Sequence, residues 1–420
     1  MIEALAGKID VERFRARHEA MAAIGATGRG GIDRQALTEA EIEARALVIG
    51  WARLRGYALS VDPIGNLFIR RPGRGGGFAP VLAGSHLDSQ PNGGNFDGVY
   101  GVLAALEVLE ALDDGGIETD RPIEVVVWTN EEGARFQPTT MGSAVYVGAL
   151  PLQQALAVRG RDGVTVSEAL ACMLRKLPHC ADRALATPLH AYVEAHIEQG
   201  PILESARCKI GVVLGIQGLR QYAVTVEGTE AHAGTTPRLR RRDAFVAARR
   251  IAAEFDRVAT DAKDIARLTI GRFDVSPGTT NTIPGKVTMT VDVRHPDEHE
   301  LERLDRAIHE ICRERAQPCS ASIETLLTSR TVNFATSVVD AVREEAARLG
   351  HGALDIMSGA THDAAFLARL CPTGMIFVPC RDGVSHNEAE YTSLENMVAG
   401  VEVLAGVVQR LSRREAGVGA

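Results

Sequence analysis

The chain has 420 residues, of which 45% are hydrophobic and 24% are charged, and its formal net charge at pH 7 is −8. This composition excludes a disordered chain, a collagen-like repeat and a disulfide-stapled miniprotein, and the length predicts two or three domains. The acidic balance argues against nucleic acid as a partner, and the short basic run at 238–242 is interpreted as a solvated turn or a feature of a subunit edge.

The seven cysteines are odd in number and form no CxxC pair. This pattern argues against a secreted disulfide framework and against a thiolate zinc cluster, and it favours a reducing compartment. The first four residues contain no basic-then-apolar run, so no signal peptide is expected. No apolar stretch reaches the roughly 18 residues that a transmembrane helix needs. We therefore expect a cytoplasmic protein that does not contact membranes.

The first third of the chain alternates between predicted helices and strands. Residues 1 to about 70 are predicted to be mostly helical with a strand at 67–69, and the segment 71–77 (RPGRGGG) is predicted to be a turn-forming connector. A strand at 81–85, a helix at 98–112 and an apolar-rich run at 123–129 (IEVVVWT) follow. Such a run is typical of a strand covered on both faces. The order strand, helix, strand predicts a parallel α/β sheet.

The middle of the chain has a different pattern. Strands are predicted at 220–227, 267–275, 286–294 and 320–327, and helices at 243–258 and 298–314. The order β-α-β-β-α-β is that of a ferredoxin-like sandwich. A helix at 337–349 and a strand at 374–378 then resume the first pattern. We therefore predict an α/β domain, formed by 1–215 and 330–420, that is interrupted by a ferredoxin-like α+β domain at 216–329.

Polar side chains follow the predicted strands of the α/β domain. His86 and Asp88 come directly after the strand at 81–85, where ligands bind in open α/β sheets. The Asp88 carboxylate is placed to hydrogen-bond the second ring nitrogen of His86, as happens around metal-bound histidines. A hydrogen-bonded histidine in a turn is the alternative.

Carboxylates appear at the next two junctions. Asp97 opens the predicted helix at 98–112, where it either caps the helix or bridges two metal ions, and the two roles are compatible. Glu131 and Glu132 follow the most hydrophobic strand, and one acid can bind metal while the other acts as a general base for a water molecule. A solvated turn is the alternative for this pair.

Two further histidines complete the pattern. His196 follows a short apolar stretch and is accompanied by Gln199, and His386 follows the strand at 374–378. A single histidine of this kind is usually structural. Three histidines and three acids at successive strand ends of one sheet instead indicate a metal site.

These segments together resemble the family of N-carbamoyl-amino-acid hydrolases, β-ureidopropionases and allantoate amidohydrolases, within the wider group of dinuclear aminoacylases and carboxypeptidases. The segments that carry the resemblance are GSHLDS, GGNFDG, WTNEEGARF, HIEQGP, GTEAHAGTTP, NTIPG, VDVRHPD and VSHNEAE. They occur in the family's order between about residue 40 and residue 400. The resemblance implies a mixed-sheet, metallopeptidase-like catalytic domain, with the inserted domain acting as a lid and as the contact of a homodimer.

The resemblance also implies a role for individual residues. His86, Asp97 and His196 match the ligands of one metal ion, and Asp97, Glu132 and His386 match those of the other, so that Asp97 bridges. Glu131 matches the catalytic acid/base, and Asp88 matches the partner of His86. His232 matches a histidine that the inserted domain brings to the reacting centre.

Substrate-binding positions are implied in the same way at Gln199, His232, Asn281, Arg294, Gly359 and Ala360. Arg294 and Asn281 match the residues that hold a carboxylate, and a guanidinium fork suits that group. An exposed strand-end charge for Arg294, a turn residue for Asn281 and a hydrogen-bonded loop histidine for His232 are the alternatives. The chain departs from the family at Thr361, where glycine is more frequent, which places the shape of the substrate loop at 357–366 in question.

Imidazole and carboxylate ligands without thiolate suit two divalent ions, with Zn²⁺ favoured over Mn²⁺, Co²⁺ and Ni²⁺. The expected reaction is hydrolysis of the carbamoyl C–N bond of an N-carbamoyl-L-amino acid or N-carbamoyl-β-alanine to amino acid, ammonia and CO₂. Allantoate amidohydrolase, or an aminoacylase or dipeptidase with the same metal centre, is the alternative. A catalytically silent binding protein is disfavoured, because Glu131 and every matched ligand are present.

Overall fold

The computed structural model describes residues 5–75 and 77–414. The prediction about a signal peptide, which concerns residues 1–4, and Gly76 of the predicted connector lie outside the described residues. By its internal contacts the chain forms two compact units, Met1–Gly215 with Asn333–Ala420 and, between them, Ile216–Val332. Within the described ranges, no helix has the length and apolar character needed to cross a membrane.

In chain order the strands are β1 (Ala58–Val61), β2 (Leu67–Arg71), β3 (Val81–His86), β4 (Ile123–Trp128), β5 (Ala181–Asp182), β6 (Ala191–Ile197), β7 (Ile210–Ile216), β8 (Gly218–Glu227), β9 (Ala231–His232), β10 (Arg267–Ser276), β11 (Thr282–Ile283), β12 (Lys286–His295), β13 (Ser320–Ser329), β14 (Val332–Asn333), β15 (Ala353–Ser358) and β16 (Thr373–Val378).

The α-helices, in the same order, are α1 (Val11–Ala22), α2 (Glu39–Leu54), α3 (Val99–Asp114), α4 (Met141–Tyr146), α5 (Leu152–Ala157), α6 (Val166–Lys176), α7 (Ile202–Ala206), α8 (Ala244–Ala259), α9 (Glu298–Arg315), α10 (Thr336–Leu349), α11 (Ala364–Leu367) and α12 (Leu394–Leu411).

The first unit is built on a large mixed sheet. Among the described residues, the strand order is β14-β7-β16-β6-β3-β4-β2-β1-β5, and β15 pairs with β7. The central strands β3, β4, β6 and β16 run parallel and are buried along their whole length. Helices α3 and α12 pack on these strands and on each other, which explains the continuous apolar runs. The parallel arrangement places the carboxyl ends of the four strands at one edge of the sheet.

The second unit is a ferredoxin-like sandwich. Its four-stranded antiparallel sheet has the order β10-β12-β8-β13, and β9 pairs separately with β11. Alternate residues of β8 and β12, including Val224 and Val291, pack against Ile251 of α8 and Leu304 of α9. This one-sided burial follows directly from the period of two in the strands and of 3.6 in the helices.

The predicted α/β fold with an inserted ferredoxin-like domain is therefore confirmed. The predicted elements lie within two residues of the observed ends in β3, β4, β12, α8 and α9. The elements that were not predicted include β1, β7 and α12. Strand β7 pairs antiparallel with β16, so its burial depends on a strand far along the chain.

Candidate metal centre

The parallel strands bring the predicted polar residues to one edge of the large sheet. His86 is the last residue of β3, and His196 is the penultimate residue of β6. Glu131 and Glu132 follow the end of β4, Asp97 precedes α3, and His386 lies between β16 and α12. Residues from five separate segments therefore meet where the strands end, as expected for ligand sites in α/β sheets.

One group of possible metal ligands consists of His86, Asp97 and His196, all buried, with their ligand atoms within 4.8 Å of one another. Asp97 Oδ1 lies 3.8 Å from His86 Nε2 and 3.1 Å from His196 Nε2. Each Nδ1 lies 2.9 Å from a main-chain carbonyl oxygen, of Asp88 and of Ile197 respectively. A carbonyl partner places the imidazole proton on Nδ1 and leaves Nε2 as the ligand atom.

A second group consists of Asp97, Glu132 and His386, whose ligand atoms also lie within 4.8 Å of one another. His386 Nε2 lies 3.2 Å from Asp97 Oδ2 and 3.3 Å from Glu132 Oε2. Asp97 thus directs Oδ1 to one group and Oδ2 to the other. This is the geometry required of a carboxylate that bridges two ions.

The residues fit a pair of divalent ions on two further grounds. The donors are imidazole nitrogen and carboxylate oxygen, which suit Zn²⁺, Mn²⁺, Co²⁺ and Ni²⁺. His196 Nε2 is buried, and although Asp97 Oδ1 lies 3.1 Å away, the nitrogen makes no hydrogen bond among the described residues, whereas polar atoms in such surroundings normally make one. A cation at this position would satisfy that nitrogen.

Glu131 belongs to neither group but lies beside them. Its Oε2 is 3.6 Å from His86 Nε2, and the side chain is buried. Burial raises the pKa of Glu131 well above its usual value, and the negative charges of Asp363 and Glu132 raise it further. A carboxylate that accepts a proton readily is suited to act as a general base.

Asp88 acts differently from the sequence-based prediction. Its main-chain carbonyl contacts His86 Nδ1, whereas its carboxylate Oδ1 lies 3.8 Å away from that nitrogen. The carboxylate instead accepts hydrogen bonds from the main-chain N–H groups of Glu131 and Glu132, both at 3.2 Å. The predicted hydrogen bond from the ring N–H to the carboxylate is therefore wrong, and Asp88 orients the acidic pair because the β3 and β4 loops lie side by side.

Asp97 does not cap α3, which was the other possible role for this residue. The capping position is occupied by Gly98, with φ of 66°, and it makes no side-chain capping bond. A Cβ at Gly98 would lie 2.3 Å from the His86 ring, so only glycine allows the imidazole to approach this turn. The Asp97 carboxylate is consequently free to face the histidines, and its Oδ2 accepts a hydrogen bond from Gln199 Nε2 at 2.8 Å.

Sequence reasoning missed two buried groups beside the first ligand group. Glu194, His196 and His362 also have ligand atoms within 4.8 Å of one another. Glu194 accepts hydrogen bonds from Ser85 Oγ and the Ala364 N–H, and the His362 ring lies 4.5 Å from the His196 ring. Glu194 was detectable, because an acid two residues before His196 in an apolar strand points to the same face.

The predicted substrate positions of the first unit lie in two places. Gln199 contacts Asp97 and Ser385 in the centre. Gly359 and Ala360 follow β15, and Ser358 Oγ hydrogen-bonds both Ala360 and His362 Nε2. The loop at 357–366 is thus joined to the centre through His362.

The other predicted substrate positions lie in the second unit. His232 in β9 is paired with Thr282, and the Ala233 N–H donates to the Asn281 carbonyl at 2.9 Å, so His232 and Asn281 are neighbours. Arg294 lies in β12, where its Nε is 2.8 Å from Asp292 Oδ1. The structure brings the first two together, and it places Arg294 on the separate four-stranded sheet.

Burial and the Asp97 carboxylate raise the pKa values of three candidate metal ligands. The Asp97 carboxylate raises the pKa of His386 to about 9. Burial alone would lower the pKa of His196, but the same carboxylate outweighs burial and raises it to about 9. Burial raises the pKa of Glu132 to about 8, with a further increase from the charge of Asp97.

Metal binding is therefore expected to strengthen as the pH rises from 6 to 9. Metal ions need deprotonated ligands, so each ion must displace protons that His196, His386 and Glu132 hold below these pKa values. Calorimetric titration of the metal-free protein in two buffers of different ionisation enthalpy measures both the affinity and the proton release. Affinity that does not vary with pH, or binding without proton release, contradicts this expectation.

Comparison with known proteins agrees with this geometry. Residues 82–410 match the model of peptidase family M20/M25/M40. The chain is 42% identical over 389 residues to an N-carbamoyl-L-amino-acid amidohydrolase of Rhizobium meliloti, covering 91% of this chain and 92% of that protein. The chain belongs to peptidase family M20/M25/M40.

Two other relatives define the branch of the M20/M25/M40 family. A crystal structure of a hydantoinase/carbamoylase family amidase from Burkholderia multivorans has a TM-score of 0.90 and 45% identity, and the match covers 97% of this chain and 98% of that one. An allantoate amidohydrolase of Bacillus subtilis is 34% identical over 400 residues, which cover 94% of this chain and 96% of that protein. The chain is thus a member of the hydantoinase/carbamoylase amidase branch, whose members are hydrolases of amide C–N bonds.

Proposed function

We propose that this protein hydrolyses the carbamoyl C–N bond of N-carbamoyl-L-amino acids or N-carbamoyl-β-alanine with two divalent metal ions, Zn²⁺ being the first choice. The observation that carries the proposal is the shared Asp97, which faces one ligand group with each of its oxygens while Glu131 lies next to both. The greater identity to carbamoyl-amino-acid amidohydrolases than to allantoate amidohydrolases supports the substrate class.

Five side chains would hold the two ions, namely His86, Asp97, Glu132, His196 and His386. Bound there, the ions would polarise the scissile carbonyl group and lower the pKa of the attacking water. Glu131 takes a proton from that water and passes it to the leaving nitrogen. Asp88 keeps Glu131 in place through its hydrogen bonds to the main chain at 131 and 132.

His232 is suited to stabilise negative charge on the substrate oxygen. Its Nδ1 accepts hydrogen bonds from the N–H groups of Gly234 at 3.0 Å and Thr235 at 3.2 Å. A nitrogen that accepts two such bonds carries no proton, so the proton resides on Nε2, which becomes a donor. One donor of this type typically contributes a factor of about 10²–10³ in rate.

The substrate carboxylate is assigned to Arg294 and Asn281. Arg294 holds its guanidinium beside Asp292, whose Oδ2 accepts a further hydrogen bond from Gln221. Nε and Nη2 of Arg294 donate to the two carboxylate oxygens of Asp292, and this pairing fixes the plane of the guanidinium group that is proposed to meet the substrate carboxylate. Gln199, Gly359 and Ala360 are proposed to contact the rest of the substrate. Attack by one water molecule on the carbamoyl carbon breaks its bond to the leaving nitrogen, and the carbamate that remains loses CO₂, so the products are the amino acid, ammonia and CO₂.

Steady-state kinetics with a panel of substrates test the proposal. The metal-free protein is reconstituted separately with Zn²⁺, Mn²⁺, Co²⁺ and Ni²⁺ and is assayed on N-carbamoyl-L-amino acids, N-carbamoyl-β-alanine, allantoate, N-acetyl amino acids and dipeptides. We expect equal amounts of ammonia and amino acid from a carbamoyl substrate, and no turnover by the metal-free protein. Full activity after chelation, or turnover of acetyl substrates or dipeptides alone, contradicts the proposal.

Allantoate is the second candidate substrate, because an allantoate amidohydrolase matches nearly the whole chain. Allantoate also contains a carboxylate and a linear carbamoyl group, so the same metal centre and the same arginine would serve. A kcat/KM for allantoate above that for every N-carbamoyl amino acid would favour this candidate.

We also propose that the protein is a cytoplasmic homodimer joined through the second unit. The seven cysteines are unpaired, which suits a reducing compartment. Edge strand β13 exposes about half of the side chains of Leu326 and Leu327, and exposed apolar side chains on an edge strand favour pairing with another chain. Sedimentation velocity measures the mass directly, and a monomer at micromolar concentration contradicts the dimer.

A further inference from the structure

A buried carboxylate outside the predicted set contacts the segment that carries Asp97. Glu390 lies between β16 and α12, four residues after His386, and only 4% of it is exposed. Its Oε1 accepts hydrogen bonds from the N–H groups of Phe96 at 3.0 Å and Asp97 at 3.1 Å. The carboxylate therefore fixes the main chain at the residue that faces both ligand groups.

The other oxygen of Glu390 engages the residue next to His386. Ser385 Oγ lies 2.7 Å from Glu390 Oε2 and 3.3 Å from Asp97 Oδ2. A hydroxyl group has one proton, and the shorter distance assigns that proton to Glu390. Asp97 Oδ2, which already accepts a hydrogen bond from Gln199 Nε2, consequently keeps its second lone pair for a cation, whereas a serine released from Glu390 would donate to Asp97 Oδ2 and compete with the ion.

The loop before Asp97 is shaped to receive this carboxylate. A Cβ at Gly94 would lie 2.1 Å from Glu390 Oε1, so the close approach requires glycine at this position. Glu390 thereby joins two segments that are almost three hundred residues apart in the chain, one with Asp97 and one with Ser385 and His386. The contact therefore helps to set the distance between the segment that carries Asp97 and the segment that carries His386.

A neighbouring glutamate provides the comparison. Glu388 is on the same segment, and it accepts a hydrogen bond from Thr27 Oγ1 and pairs with Arg29 Nε at 2.7 Å. These contacts hold the segment to the N-terminal part of the unit, and no contact of Glu388 with Asp97 or Ser385 occurs among the described residues. Glu388 therefore shares the segment with Glu390 without sharing its contacts.

We propose that Glu390 is a positioning residue of the metal centre. It fixes the main chain at Asp97 and accepts the Ser385 hydroxyl proton, so that this proton is not donated to Asp97 Oδ2. The inference rests on the proposed function, because it requires that Asp97 bind metal. In other metal sites, removal of a residue that hydrogen-bonds a ligand typically weakens metal affinity about 10–100-fold. Glu390 contacts the shared ligand, so both ions are expected to respond.

The test compares Glu390→Ala, Glu390→Gln and the matched control Glu388→Ala. Metal affinity is measured on the metal-free protein by calorimetric titration with Zn²⁺, together with the melting temperature of the metal-free form and kcat and KM of the loaded enzyme. We expect Glu390→Ala to weaken binding about 10–100-fold and to lower kcat with little change in KM. Glu390→Gln keeps an oxygen for both N–H groups but places an NH2 donor opposite Ser385, so the serine proton turns to Asp97 Oδ2, and this variant is expected to lose part of the affinity but less than Glu390→Ala.

The control separates a positioning role from a stabilising one. Glu388→Ala is expected to lower the melting temperature without weakening Zn²⁺ binding. Equal losses of affinity in Glu388→Ala and Glu390→Ala, or unchanged affinity in Glu390→Ala, overturn the inference. If Glu390→Ala does not fold, Glu390→Asp replaces it, since it keeps the charge but is too short to reach both partners. Unchanged affinity in that variant overturns the inference equally.

The wild-type protein distinguishes failure of the inference from failure of the proposed function. If the wild type binds two ions but hydrolyses no carbamoyl substrate, the proposed function fails and the affinity measurements still decide the role of Glu390. If the wild type binds no ion, both are overturned.

Discussion

Glu131→Gln is expected to lower kcat by about 10²–10⁴-fold, while both ions remain bound. Glutamine has nearly the same shape but does not accept a proton, and general acid–base catalysis typically contributes a factor of this size. Glu131 lies outside both ligand groups, so its amide form leaves every metal ligand in place. Steady-state kinetics and elemental analysis of the same preparation measure the two effects, and KM is expected to change little.

Glu198→Gln provides a matched control for this substitution. Glu198 is also a buried glutamate at the end of a central strand, but it accepts hydrogen bonds from the N–H groups of Ile202 and Leu203. The control is expected to keep its kcat. It is expected to lose some stability, because the amide nitrogen of glutamine cannot accept one of those two hydrogen bonds. If Glu131→Gln retains wild-type turnover, Glu131 is not the general base.

Asp97→Ala is expected to abolish activity and to release both ions. The two oxygens of Asp97 face different ligand groups, so one substitution removes a ligand from each. The loss of affinity should exceed the roughly 10–100-fold that outer partners of metal ligands contribute. Elemental analysis after dialysis against a metal-free buffer reports the number of ions retained per chain.

Substitutions in one ligand group test whether Asp97 bridges. His86→Ala and His386→Ala each remove a ligand from a single group, and each is expected to release one ion and retain the other. Loss of only one ion from Asp97→Ala would show that Asp97 serves a single site. Melting curves of the three metal-free variants exclude unfolding as the cause.

The central strands and the inserted domain could be predicted because local patterns define them. The apolar run at 123–128 is long enough to identify a covered strand, and the alternation in β12 marks one buried face without knowledge of its neighbours. Strand β1 was missed because its four residues are exposed or half-buried and carry no such pattern, and its pairing with β2 and β5 defines it.

The roles of Asp88 and Gly98 show where local patterns are insufficient. The spacing of His86 and Asp88 allows either the carboxylate or the carbonyl of Asp88 to reach the ring. The observed contact depends on the β4 loop, whose N–H groups attract the carboxylate. The glycine at 98 is required by the His86 ring, which no pattern within 97–99 reveals.

The amino-acid sequence by itself determined the chemical nature of this centre, because the ligand types, their places after apolar strands and the adjacent Glu131–Glu132 pair are local features. Only the tertiary structure decided which oxygen of Asp97 faces which histidine, and that His362 and Glu390 lie beside the ligands. The physical reason is that metal ligation requires distances of a few ångströms between residues hundreds of positions apart. Packing of parallel strands and their connecting loops sets those distances, and no single segment contains them.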